Sequence, residues 1–200
     1  NKERQNIRTA FGYQIPNNVV DELAESLSNI KARRKPVYGI CLFTDAKGYT
    51  GIAETMHPEK LSSFMNEYFD AIFEPVKKNS GIGLELKADS MLAIWTEDHP
   101  DRTLKKIACH TALDIIRAVD EFNRSHTRTP LPTRIGIHSG YISLGFIGAI
   151  DHYQYQPVGD AVNTASRMEG LNKRLGTRIL VSEEVLEQPD DFLVRRLGQF

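Results

Sequence analysis

The spacing of apolar residues predicts an alternation of strands and helices from residue 37 onward. Val37–Thr44 (VYGICLFT) is a short apolar run rich in β-formers and reads as a buried strand. Two Gly-containing turns, Lys47-Gly48 and Thr50-Gly51, follow it, and Pro58 suits the first turn of a helix. Leu61, Phe64, Met65, Tyr68, Phe69, Ile72, Phe73 and Val76 then recur at helical spacing until Asn79-Ser80-Gly81 ends the pattern. Ile82–Leu86 and Met91–Trp95 flank Lys87-Ala88-Asp89-Ser90, a predicted β-hairpin. A second long helix carries Leu104, Ile107, Ala108, Thr111, Ala112, Ile115, Ile116, Val119 and Phe122 on one face, and Pro130 and Pro132 forbid its continuation. A strand from Arg134 to about Ser143 comes next, with Gly145 and Gly148 marking another hairpin and Tyr153–Val158 its return. Gly159-Asp160 opens a helix through about Lys173, and Leu175-Gly176 stops it. Arg178–Val181 reads as a short strand, Ser182-Glu183-Glu184 as a capped helical turn, and Phe192–Leu197 as a late strand. The order β-α-β-β-α-β with C-terminal additions is the split βαβ, ferredoxin-like pattern. The expected class is therefore α+β: an antiparallel sheet with two main helices on one face and extra C-terminal strands.

Residues 1–36 differ from the rest. Val19, Val20, Leu23, Ala24 and Leu27 form one apolar stripe after a possible Asn17 or Asn18 cap, and Lys31, Arg33, Arg34, Lys35 and Pro36 close the segment. The expected division is an N-terminal linker or docking arm over 1–36 and a domain over 37–200. Composition narrows the function classes. With 25 Lys+Arg against 26 Asp+Glu the net charge is −1, which disfavours general nucleic-acid binding. An apolar fraction of 40% is too high for disorder, and no apolar run approaches the roughly 20 residues of a membrane span. Cys41 and Cys109 both sit in apolar patterns and read as small core residues in a reducing compartment. The Asn123-Arg124-Ser125 triplet matches a glycosylation sequon, a pattern common by chance.

Two constellations carry candidate chemistry. Asp45 ends the first strand and Asp89 lies in the following hairpin turn; in a ferredoxin-like sheet these strands are neighbours. Two carboxylates brought within a few ångströms repel unless they share a proton or a cation, and oxygen pairs facing a triphosphate are a common Mg²⁺ arrangement. The competing reading is that both are turn-formers. Asn163 and Arg167 are four apart and project from one helix face, where an amide and a guanidinium suit a hydroxyl and a phosphate; an ordinary exposed face is the alternative.

Five collinear blocks then resemble the class III adenylate/guanylate cyclase catalytic domain: LFTDAKGYT (42–50), ELKADSMLAIW (85–95), RIGIHSGYISLGFIG (134–148), YQPVGDAVNTASRME (155–169) and FLVRRLGQF (192–200). The resemblance implies a homodimer with active sites at the interface. It implies that Asp45 and Asp89, with the Ala46 carbonyl, hold two Mg²⁺ or Mn²⁺ ions, that Asn163 orients the ribose, and that Arg167 stabilises the pentavalent phosphate across the interface. The implied reaction is in-line attack of the ribose 3′-hydroxyl on the α-phosphorus of a nucleoside triphosphate, giving the 3′,5′-cyclic monophosphate and pyrophosphate. No histidine base is required, so His138 reads as a strand residue near the core.

Base recognition departs from the family pattern. Glu85 stands where adenylate cyclases carry Lys and guanylate cyclases Glu, and Gln156 matches neither usual partner residue. A carboxylate accepts from guanine N1–H and the 2-amino group; a Gln amide both donates and accepts; Lys87 shares the strand face with Glu85. ATP is favoured because bacterial members mostly use it, with GTP as the alternative. Ala88 replaces the glycine usual before the second aspartate, a strain of about 1 kcal/mol if the turn needs positive φ. The family's triphosphate-binding lysine would lie beyond Phe200, so the domain is expected to be C-terminally truncated. AFGYQIPNNVVDEL (10–23) resembles the stretch preceding the cyclase in bacterial CHASE-type sensors, which implies a cytoplasmic domain anchored to the membrane through an upstream region. The rival readings are a non-catalytic regulatory or dimerisation domain of the same fold, and a diguanylate cyclase, which the lack of a Gly-Gly-Asp/Glu-Glu-Phe-type turn disfavours.

Overall fold

The structure, a computed structural model, describes residues 34–149, 152–186 and 192–199. The arm expected over 1–36, with its helix, lies almost entirely outside the described residues. In chain order the elements are β1 (Arg34–Ala46), α1 (Tyr49–Thr55), α2 (Pro58–Lys78), β2 (Ile82–Lys87), β3 (Ser90–Glu97), α3 (Arg102–Ser125), β4 (Thr133–Ala149), β5 (His152–Val158), α4 (Asp160–Leu175) and β6 (Ile179–Val181).

The strands form one sheet in the order β2-β3-β1-β4-β5, with β6 parallel to β4. β1 is central and antiparallel to both neighbours. Side chains alternate across it, as the pleat demands. Ile40, Leu42 and Ala46 join Met91, Ala93 and Trp95 of β3 on one face. There the apolar stripes of α2 (Phe64, Tyr68, Ile72, Val76) and α3 (Ala108, Ala112, Ile115, Val119) cover them, which is the two-helix layer expected. Val37 and Cys41 join Leu92 and Ile94 on the opposite face, where Ala161 and Ala165 of α4 pack. Both cysteines are free and buried, and burial pushes each thiol up to about 12.

α4 lies unusually close to the sheet, and the cause is Gly136. A Cβ there would come within 2.3 Å of the Ala165 carbonyl oxygen and of the Glu169 amide nitrogen. A second anchor lies one turn further on: Asn172, 1% exposed, donates from Nδ2 to the Ile135 carbonyl at 3.0 Å. Gly176 at φ 64 then ends the helix in the left-handed conformation that glycine tolerates.

Four expectations need correction. Thr50-Gly51 is not a turn but part of α1: Gly48 at φ 93 redirects the chain, and Tyr49 and Ile52 wind onto the core. Gly145 and Gly148 do not mark a hairpin. β4 runs through both because its backbone still has ladder partners, from Arg34 opposite Gly145 on one side to His152 opposite Ala149 on the other. Residues 192–197 are not a strand: no ladder partner is paired with them among the described residues, Leu193 is fully exposed, and the anchor is Phe192, whose ring lies 4.9 Å from that of His110. β1 also begins three residues earlier than the expected Val37.

The close approach at Gly136 makes a direct prediction. Gly136→Ala forces backbone against backbone and should destabilise the domain by about 1–3 kcal/mol, read as a lowered urea midpoint at unchanged slope.

Candidate active site

The β1 ladder builds the site. Asp45, next to last in β1, is paired with Ser90 of β3 and with Arg134 of β4. Asp89 immediately precedes Ser90, so the register sets the two aspartates side by side at one end of the sheet. Thr44 and Ala46 are buried on the α2–α3 side, which leaves the half-exposed Asp45 on the side of α4. The hairpin turn is Ala88-Asp89, shorter than the four residues expected, because Lys87 already pairs with Ser90. Ala88 takes φ 54, so the alanine does carry the left-handed strain, on the order of 1 kcal/mol.

Two residues that the sequence patterns did not single out complete the cluster. The Arg134 guanidinium is ion-paired through Nη2 to Asp45 Oδ2, and its Nε lies 3.3 Å from Glu169 Oε1 of α4. Arg134 and Glu169 side chains are only 17% and 15% exposed, and the Nε and Oε1 atoms are buried without a well-formed hydrogen bond. Beneath them the Tyr68 hydroxyl is 2.8 Å from Thr133 Oγ1. Neither Arg134 nor Glu169 belongs to a helical or alternating motif with the aspartates. Only strand pairing and the seating of α4 bring them there.

Electrostatics follow from this crowding. Burial, then the neighbouring Asp45, hold the Asp89 carboxyl above its usual range, with Arg134 opposing. Burial pushes Glu169 up to about 7, with Asp45 and Asp89 adding and Arg134 opposing. Burial likewise raises the Tyr68 phenol. Three carboxylates thus face one guanidinium, an excess of negative charge that a divalent cation would balance. Among the described residues no group of three or more His, Cys, Asp or Glu is arranged to hold a metal. The aspartate pair could hold a hard divalent cation only if further oxygen ligands came from outside these side chains, not as an all-protein cage.

The other predicted residues lie around this cluster. Asn163 and Arg167 are both exposed on α4 and make no hydrogen bond or ion pair among the described residues. Glu85 and Lys87 are exposed on β2, opposite Leu92 and Ser90 of β3 and hence on one face, with the strand bulged between Gly83 and Glu85. Gln156 of β5 donates from Nε2 to Gln154 Oε1 at 2.6 Å. Leu84 of β2 and Tyr155 of β5 share one apolar cluster, so the sheet curls to bring the strands of Glu85 and Gln156 toward each other. Ala46, the expected carbonyl donor, is buried at the end of β1. His138 is half-buried with Nδ1 2.8 Å from Ser182 Oγ, and stands among strand residues as expected. Asn123 Oδ1 accepts from the Leu131 amide at 2.7 Å, a structural contact that accounts for this residue.

Fold and site together define an α+β domain with an acidic pair at the end of its central strand and an exposed amide–guanidinium pair on a neighbouring helix. Comparison with known proteins gives the same class. The family described as "Adenylate and Guanylate cyclase catalytic domain" matches residues 32–199, and the chain belongs to that family. It is 35% identical to Adenylate cyclase 1 of Rhizobium meliloti (strain 1021) over 99% of this chain and 30% of that protein. It is 30% identical to an adenylate cyclase of Anabaena cylindrica over 95% of this chain and 39% of that protein. The chain thus spans about a third of the length of these relatives. In fold it is similar to a bacterial light-regulated adenylyl cyclase, with TM-score 0.77 and 23% identity over 92% of this chain and 53% of the other. Among the described residues no helix is long and apolar enough to cross a membrane.

The raised Glu169 carboxyl gives a signed pH dependence. Its ionised form is disfavoured in the folded, metal-free protein, so its contribution to stability is complete below the ordinary carboxylate value and lost as pH rises toward about 7. The unfolding temperature of metal-free protein should fall between pH 5 and 7.5, and Glu169→Gln should flatten that slope.

Proposed function

We propose that this domain is the catalytic part of a nucleotidyl cyclase that converts ATP to 3′,5′-cyclic AMP and pyrophosphate, working as a homodimer in cyclic-nucleotide signalling. The observation that carries the reading is the placement of Asp45 beside Asp89 at one end of β1, while Asn163 and Arg167 stand exposed on α4 and without a partner among the described residues. A second copy can reach such an exposed pair, and two-fold pairing of half-sites gives two whole sites.

In this reading Asp45 and Asp89, with the Ala46 carbonyl, would hold two Mg²⁺ or Mn²⁺ ions. Such ions, when bound, acidify a hydroxyl and hold phosphate oxygens. Asn163 of the opposing copy orients the ribose through its amide. Arg167 presents its guanidinium where negative charge grows at the α-phosphate. Glu85, Lys87 and Gln156 face the base. ATP is supported by the adenylate cyclases among the relatives. A specific observation keeps GTP as the second reading: Glu85 is an exposed carboxylate on the site side of β2, suited to guanine N1–H and its 2-amino group. We also propose that the domain resides in the cytoplasm and meets the membrane only through an upstream sensor region; its two free, buried thiols accord with a reducing compartment.

Incubation with ATP or GTP and Mn²⁺, with the product identified by mass, tests the activity and the base. No cyclic product from either nucleotide would leave a regulatory or dimerisation domain as the better reading. Asp45→Ala should lower turnover by at least about a hundredfold, roughly 3 kcal/mol of barrier, with the fold intact by circular dichroism. Mixing Asp45→Ala with Arg167→Ala should restore up to about a quarter of the wild-type rate, because half the dimers then hold one whole site. Absence of recovery in demonstrated heterodimers would refute the shared site.

A further inference from the structure

We infer that Glu169 is a positioning residue of this site: it shares the Arg134 guanidinium with Asp45, so that a cation can take Asp45 without stranding Arg134 as an uncompensated buried charge. The inference rests on the reading of Asp45 and Asp89 as cation ligands.

Arg134 is largely buried, and a buried guanidinium stripped of its partner is heavily penalised. In the cation-free protein that partner is Asp45, through Nη2. A cation bound at Asp45 competes for the same oxygens. The carboxylate placed to receive Arg134 is Glu169, whose Oε1 already lies 3.3 Å from Nε. Both atoms are buried and short of a formed hydrogen bond, so the pair has bonding capacity in reserve. Glu169 cannot drift off. Its amide sits against Gly136, two residues along β4 from Arg134, and Asn172 ties the next turn of α4 to the Ile135 carbonyl.

Mn²⁺ binding to the nucleotide-free chain at pH 8, followed by electron paramagnetic resonance of the free ion, tests this in a double-mutant cycle. Arg134→Gln removes the competing cation and should tighten binding. Glu169→Gln should weaken it by about tenfold, because Arg134 then holds Asp45 alone. In the Arg134→Gln background the same Glu169→Gln change should alter the Kd by less than about twofold. An equal loss in both backgrounds would show only the direct field of a carboxylate and overturn the inference, as would no loss in either. If Glu169→Gln does not fold, Glu169→Asp takes its place and should give a smaller loss, again only where Arg134 is present. Asp45→Asn separates the two claims. If the wild type binds no Mn²⁺, or Asp45→Asn binds it equally well, the cation-site reading fails and the inference with it. If Asp45→Asn abolishes binding and the cycle is additive, the inference alone fails.

Discussion

β1 is hydrogen-bonded on both sides, and the site takes its shape from that ladder. A one-residue slip against β3 would turn Asp45 to the opposite face, into the layer of α2 and α3, and away from Asp89. The slip is prevented by alternation: Ile40 and Leu42 are fully buried on one face and Cys41 on the other, so a shifted register would send each side chain to the wrong layer. The apolar core thus fixes the position of a polar pair that contributes nothing to it.

The same logic ties the two halves of the site together. α4 carries Asn163 and Arg167 on its exposed face and Glu169 on its buried one. Its height above the sheet is set by a missing Cβ at Gly136 and by the Asn172 amide. In the proposed dimer, the helix that would serve one active site is therefore held close to the strand whose aspartate would serve the other. Arg134 lies between them as a guanidinium among three carboxylates, and its buried charge makes their arrangement interdependent.

Much of this was legible in the chain. The stripes of α2 and α3, the β2–β3 hairpin, the span of α4 and its stop at Gly176 follow from periodicity and turn chemistry, because those patterns are local. The places that resisted reading share a cause. Gly145 and Gly148 look like breakers, yet partners on either side hold β4 extended through them. Residues 192–197 look like a strand, yet pair with no strand among the described residues. Thr50-Gly51 looks like a turn, yet core contacts wind it into α1. For β4 and α1, neighbours remote in sequence overrode the local preference; at 192–197, a strand-like pattern without a pairing partner stays irregular.

By itself, the sequence determined the sheet and the two-helix layer on one of its faces, the burial of both cysteines, and the four residue types of the proposed chemistry at recognisable spacing; that Ala88 takes a left-handed φ and that α4 packs on the opposite face were decided by the structure. Only the tertiary structure decided that Asp45 shares a buried guanidinium with Glu169. Asp45 and Arg134 are 89 residues apart, and their meeting depends on an antiparallel register rather than on any local period. Glu169 joins them only because a helix can settle onto a glycine. Periodicity specifies which face of an element is buried; which charged groups then confront each other depends on how the elements are stacked.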